Sequence, residues 1–132
     1  MKEKKYQITL NERQLRLIAD CLEDCSLFMA GQTELHNCIS KLEHRQKAAD
    51  TLKMAYRDVV PDLAAKYGTN TYYPWNGGEC PNEAQRKFIA ESYYLYREIR
   101  HFDVMNRGVD NVYSSPTLRC ADSGEPIEIK EL

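Results

Sequence analysis

The chain has 132 residues, of which 42% are hydrophobic and 29% charged. That is globular composition at the size of one ordinary domain, so residues 1–132 are read as a single domain. Lys and Arg number 18 against 20 Asp and Glu, a net charge of −2, which excludes a protein whose whole surface clings to DNA or anionic lipid but leaves room for a local basic patch.

The N-terminal stretch MKEKKYQITL has a basic start but no apolar core and no small-residue cleavage site, so it does not read as a signal peptide. The longest uncharged stretch, 67–78, is 12 residues of mostly Thr, Asn, Gly, Pro and aromatics, too short and too polar to span a bilayer. The five cysteines are an odd count with no export signal, which points to reduced thiols in the cytoplasm.

Residues 4–10 alternate, with Tyr6, Ile8 and Leu10 on one side, and predict a short strand. Thr9 with Glu12 fits a capping box, and Asn11 is a rival cap. The first helix should run from about 11 to 30 and stop at Gly31. On its wheel Leu15, Ile18, Ala19, Leu22, Cys25, Ser26 and Met29 form one arc, widened by Leu17, Cys21 and Phe28. Its charged residues fall opposite, which predicts that Asp20 and Asp24 point to solvent.

The second helix should span 33–59, ending before Pro61, with a seam of Leu35, Cys38, Ile39, Leu42, Ala49, Leu52, Tyr56 and Val59 that Arg45 and Gln46 interrupt. Residues 67–82 form a loop rich in breakers and in aromatics. The third helix should run from about 83 to 106, capped by Asn82, with Ala84, Phe88, Ser92, Leu95, Ile99 and Phe102 facing the core and Ile89 and Tyr96 beside them. Beyond it, Val112–Tyr113 and Ile127–Ile129 read as short strands. The expected fold is thus mainly α: three long helices, with a small β element formed by the terminal segments.

Chemistry-bearing residues gather at the loop and the third helix. Tyr72, Tyr73 and Trp75 offer planar faces just upstream of Asn82, where a helix start exposes backbone N–H groups. Arg86, Tyr93, Arg97 and Arg100 share one narrow arc with no acidic residue in it. Arg86 to Arg100 spans about 21 Å of helix, too long for one small metabolite and suited to an acidic protein surface or a nucleic acid strand. These eight residues are the predicted binding surface.

No catalytic residue, metal ligand or cofactor is assigned. There is no C-x-x-C pair, Walker loop, G-x-S-x-G or H-E-x-x-H, and His36, His44 and His101 are scattered. The group Asp20, Glu23 and Asp24 would suit Mg²⁺ only if it faced inward.

The phrases KYQITLNERQLRLIADCLEDC, FMAGQTEL, CPNEAQRKFIAESYYLYREI and DNVYSS resemble small uncharacterised proteins of gut-bacterial phages and mobile elements, across most of the chain. That resemblance carries no catalytic residue and implies a role in host takeover, counter-defence or element maintenance. The expected function is a cytoplasmic, non-catalytic binding or regulatory protein. The alternatives are a small metal-dependent nucleotide hydrolase and a structural protein that self-associates as a homodimer through helix 33–59.

Overall fold

The computed structural model describes residues 3–32, 35–59, 73–106 and 119–132, and these are mainly helical. The helices among them are α1 (Glu12–Ala30), α2 (His36–Ile39), α3 (Arg45–Val59) and α4 (Glu83–Asn106), followed by one 3₁₀ turn at Ala121–Ser123.

Asn11 caps α1. Its side chain accepts from the Gln14 amide at 2.8 Å, and its own amide donates to Gln14 Oε1 at 3.0 Å, so the capping box sits two residues later than the Thr9 version. Such a cap is worth about 1 kcal/mol. Gly31 ends the helix in the left-handed region, and the amides of Gly31 and Gln32 close back onto Phe28 O and Leu27 O.

The predicted helix 33–59 is not one rod. Leu35 turns the chain in a left-handed conformation, α2 lasts a single turn, and 40–44 form turns before α3 begins. Lys41 and Leu42 bond back to Cys38 and Ile39, the tight pattern of a helix running out. The physical reason lies in residues 40–47, which are exposed throughout, Leu42 included, so no burial offsets the entropy of extending the helix. A continuous 33–59 seam for a second copy is therefore absent. α3 touches the rest of the fold through Tyr56, whose ring meets Phe28 edge-on at 5.3 Å.

α4 is a single helix of 24 residues, about 36 Å long. It packs along α1. Ala19, Ser26 and Ala30 are small, and all three are buried, which lets the backbones approach; Ser26 Oγ donates to Ile89 O at 3.1 Å. Ile89, Ala90, Tyr94, Tyr96, Ile99 and Val104 fill the α4 side. Fully burying Ile89 contributes about 1.5–3 kcal/mol. The inward face of α4 is thus rotated from the expected one: Ala84 and Phe88 are exposed.

α1 is rotated further. Leu17 is 61% exposed and Cys21 and Cys25 are exposed, whereas Glu23 and Asp24 are only 8% and 4% exposed. The reason is complementary charge: α4 presents Arg100 and Asp103 to the polar side of α1. Arg16 Nε donates to both oxygens of Asp103 at 3.1 Å, and Arg100 Nη2 reaches Asp20 Oδ1 at 3.1 Å and Glu23 Oε1 at 3.5 Å.

The terminal β element is not seen: no strand occurs among the described residues. Residues 6–11 and 127–132 both line an open groove of about 770 Å³ and make no backbone bond to each other. They are tied elsewhere, by the pair of Lys5 and Glu125 at 3.6 Å and by the Ile127 amide, which donates to Tyr94 Oη at 3.0 Å. The predicted strand at Val112–Tyr113 lies outside the described residues.

Candidate functional site

The loop after residue 72 is anchored at both ends. The Tyr73 amide donates to Ala30 O at 2.6 Å, at the end of α1. Two turns follow, Gly77 N to Pro74 O at 2.8 Å and Cys80 N to Gly77 O at 3.0 Å. Gly77 has φ of 68° and lies so close to α4 that a Cβ there would stand 2.8 Å from Arg86 O. Asn82 then caps α4, its Oδ1 accepting from the Gln85 amide at 2.9 Å. Gln85 Nε2 donates to Met29 O at 2.8 Å, so the start of α4 is tied to the end of α1.

This closure leaves a cavity of about 210 Å³ between α1, α4 and the loop. Its floor is buried: Ser26, Ala30, Tyr73 and Ile89. Its rim is partly exposed: Leu27, Gln32, Trp75 and Tyr93. Trp75 and Tyr93 are 6.1 Å apart with planes tilted by 40°, and Tyr93 meets Tyr96 edge-on at 5.5 Å. The Arg97 guanidinium lies over Tyr93 at 6.0 Å, and that of Arg100 over Tyr96 at 5.5 Å.

The predicted binding residues divide into three groups. Tyr73, Trp75 and Tyr93 line the cavity, with Arg97 beside Tyr93. Asn82, Arg86 and Arg100 serve the fold: Asn82 caps α4, Arg86 Nε donates to Asp122 at 3.0 Å, and Arg100 pairs with Asp20 and Glu23. The hydrogen bond to Asp122 holds the Arg86 guanidinium above its usual pKa. Tyr72 lies outside the described residues. The arc is continuous, as expected, but two of its three cations are neutralised by acidic residues on other segments.

Ser26 and Ile89 are buried as their helix wheels predict, and Leu27 and Gln32 are the cavity residues that the sequence reading passes over. The available signal was the small pair Ser26 and Ala30 at i,i+4, just before a helix-stopping Gly31.

The carboxylate group of α1 faces inward, contrary to the expectation for Asp24, but it is already occupied. Asp24 accepts from the amides of Asn37 and Cys38 at 3.2 and 2.7 Å, and Asn37 Nδ2 donates to Glu23 Oε1 at 2.7 Å. Burial, helped by a hydrogen bond to Glu23, pushes the Tyr96 phenol far above its usual range. Among the described residues no cluster of His, Cys, Asp and Glu has the geometry to hold a metal ion. Partial desolvation, with the charges of neighbouring Cys21 and Asp24, raises the thiol of the exposed Cys25, away from the reactive thiolate form.

Comparison with family models, with curated proteins and with solved structures finds no match to this chain. What fold and site define is a mainly helical protein with one small aromatic-walled cavity built on fixed elements. Among the described residues no helix is long and apolar enough to cross a membrane.

Proposed function

We propose that this chain is a cytoplasmic, non-catalytic binding protein that seats one aromatic group of a protein partner in the cavity walled by Tyr73, Trp75 and Tyr93. The observation that carries this reading is the cavity itself: three aromatic residues from two rigidly tied elements around about 210 Å³. A cavity of about 150 Å³ takes a benzene ring, whereas drug-sized ligands occupy roughly 300–1,000 Å³. The space therefore fits one ring system and is too small for a whole cofactor.

Charge favours a protein over a nucleic acid strand. Binding to phosphates rests on several uncompensated cations, and Arg86 and Arg100 are both paired with carboxylates. Arg97 lies over the Tyr93 ring beside the cavity, where an acidic residue flanking the inserted ring would meet it. The resemblance to phage and mobile-element proteins supports host takeover or counter-defence as the setting for such binding.

The test is selection of displayed random peptides on the immobilised protein, with Tyr93→Ala as counter-target. Enriched peptides should share an aromatic residue and should perturb the emission of Trp75, the sole tryptophan. Enrichment that ignores the Tyr93 change would overturn the reading. Self-association is the second reading, and the observation that favours it is the exposed apolar edge of α1, Leu17 and Ile18, rather than 33–59. Sedimentation over a concentration range, with Leu17→Glu as control, tests it; a strict monomer sinks it.

A further inference from the structure

Resting on the reading above, we infer that the group this cavity takes is the indole of a tryptophan side chain, held by the aromatic walls and by a hydrogen bond from its N–H to the carboxamide oxygen of Gln32. Size leaves room for more than a single ring. The cavity of about 210 Å³ exceeds the roughly 150 Å³ that suits a single benzene ring, and the excess matches a fused second ring.

Polarity then separates indole from other bicyclic rings. Ser26 Oγ, on the buried floor, commits its proton to Ile89 O and lies below the rim. Gln32, on the rim, makes no side-chain hydrogen bond among the described residues, although its backbone amide is tied to Leu27 O. Its position is fixed by the helix end at Gly31 while its amide group stays available. Indole is a donor only, with its N–H at the edge of the ring, so it requires an acceptor at the rim while its faces stack on Trp75 and Tyr93. A purine has the same size, but it would bring a phosphate to a surface whose arginines are largely neutralised.

The experiment uses ¹⁵N-labelled full-length protein and four probes: N-acetyltryptophanamide, its 2-naphthylalanine counterpart without the N–H, N-acetyltyrosinamide, and adenosine monophosphate. Affinities are read from the Trp75 indole and Gln32 side-chain resonances. The indole probe should bind about fivefold tighter than the naphthyl probe, the worth of one hydrogen bond. Gln32→Met should level the two, and Gln32→Glu, which keeps an acceptor, should preserve the preference. Equal binding of indole and naphthyl probes by the unaltered protein overturns this inference and leaves the aromatic-binding reading standing. Tighter binding of the tyrosine probe does the same. Tighter binding of the nucleotide, or no binding of any aromatic probe, overturns both. Retention of the preference by Gln32→Met, with helicity unchanged, overturns the role of Gln32.

Discussion

Arg16 on α1 grips Asp103 on α4 through one nitrogen, with Nε 3.1 Å from each carboxylate oxygen, and the two ends differ sharply in exposure: the arginine side chain is 41% exposed and the aspartate 4%. The asymmetry sets the expected outcome of breaking the pair. Removing the arginine takes a bidentate charge partner from a buried carboxylate, whereas removing the carboxylate frees an arginine that water can reach. Arg16→Met should therefore lower Tm by several degrees and Asp103→Asn by clearly less. Thermal unfolding of the two variants and the double variant checks this; equal losses would contradict it.

Arg100 is as much a structural residue as a surface one. Its side chain is 21% exposed and bridges Asp20 and the buried Glu23. Arg100→Ala should cost about 2 kcal/mol, less than the roughly 3–5 kcal/mol of breaking a fully buried pair, because Asp20 can rehydrate. Arg97→Ala, which removes a cation over Tyr93, should cost under about 1 kcal/mol. Urea unfolding separates the two, and a binding loss in Arg97→Ala with stability intact would place that residue on the contact surface.

Tyr96 predicts an alkaline limb of stability. Burial raises its phenol above the ordinary value of 10, so the folded state holds a proton that the unfolded state releases. The stabilising contribution is complete below pH 10 and declines as pH climbs from there toward the raised folded value. Tyr96→Phe should flatten that decline. Absorbance at 295 nm should show one phenol ionising only as the helical signal is lost; its ionisation in the intact fold near pH 10 would refute the assignment.

Gly77 holds the loop against α4 because nothing larger fits. Its φ of 68° and the 2.8 Å between a notional Cβ and Arg86 O penalise any side chain. Gly77→Ala should destabilise by about 2 kcal/mol or more, from the left-handed backbone and the clash. Because Trp75 lies two residues away, its emission should also shift to the red. Unchanged emission would mean that the cavity does not depend on this turn.

The elements that were legible in the sequence are those decided locally. Gly31 ends α1 because its conformation is left-handed, and Asn82 starts α4 because its side chain meets the Gln85 amide. The rotation of α1 was not legible. A wheel reports that Leu17, Ile18 and Cys25 share a side, but it cannot know that Arg100 and Asp103, more than 70 residues away, make the charged side the better partner. The break at 40–44 was half legible: the polar interruption at Arg45 was visible, but not that Leu42 stays half exposed. The cavity followed the same logic. Its aromatics announced themselves, whereas Gln32 and Ser26 matter only because the Tyr73 amide is drawn to Ala30.

The internal pairing of Arg86 with Asp122 and of Arg100 with Asp20 has a kinetic corollary. With little long-range field left to steer an approaching molecule, encounter should proceed at an unassisted pace, on the order of 10⁵–10⁶ M⁻¹s⁻¹, and change little between dilute buffer and concentrated brine. Selectivity would then be exercised after collision, in how long a correctly fitted visitor lingers.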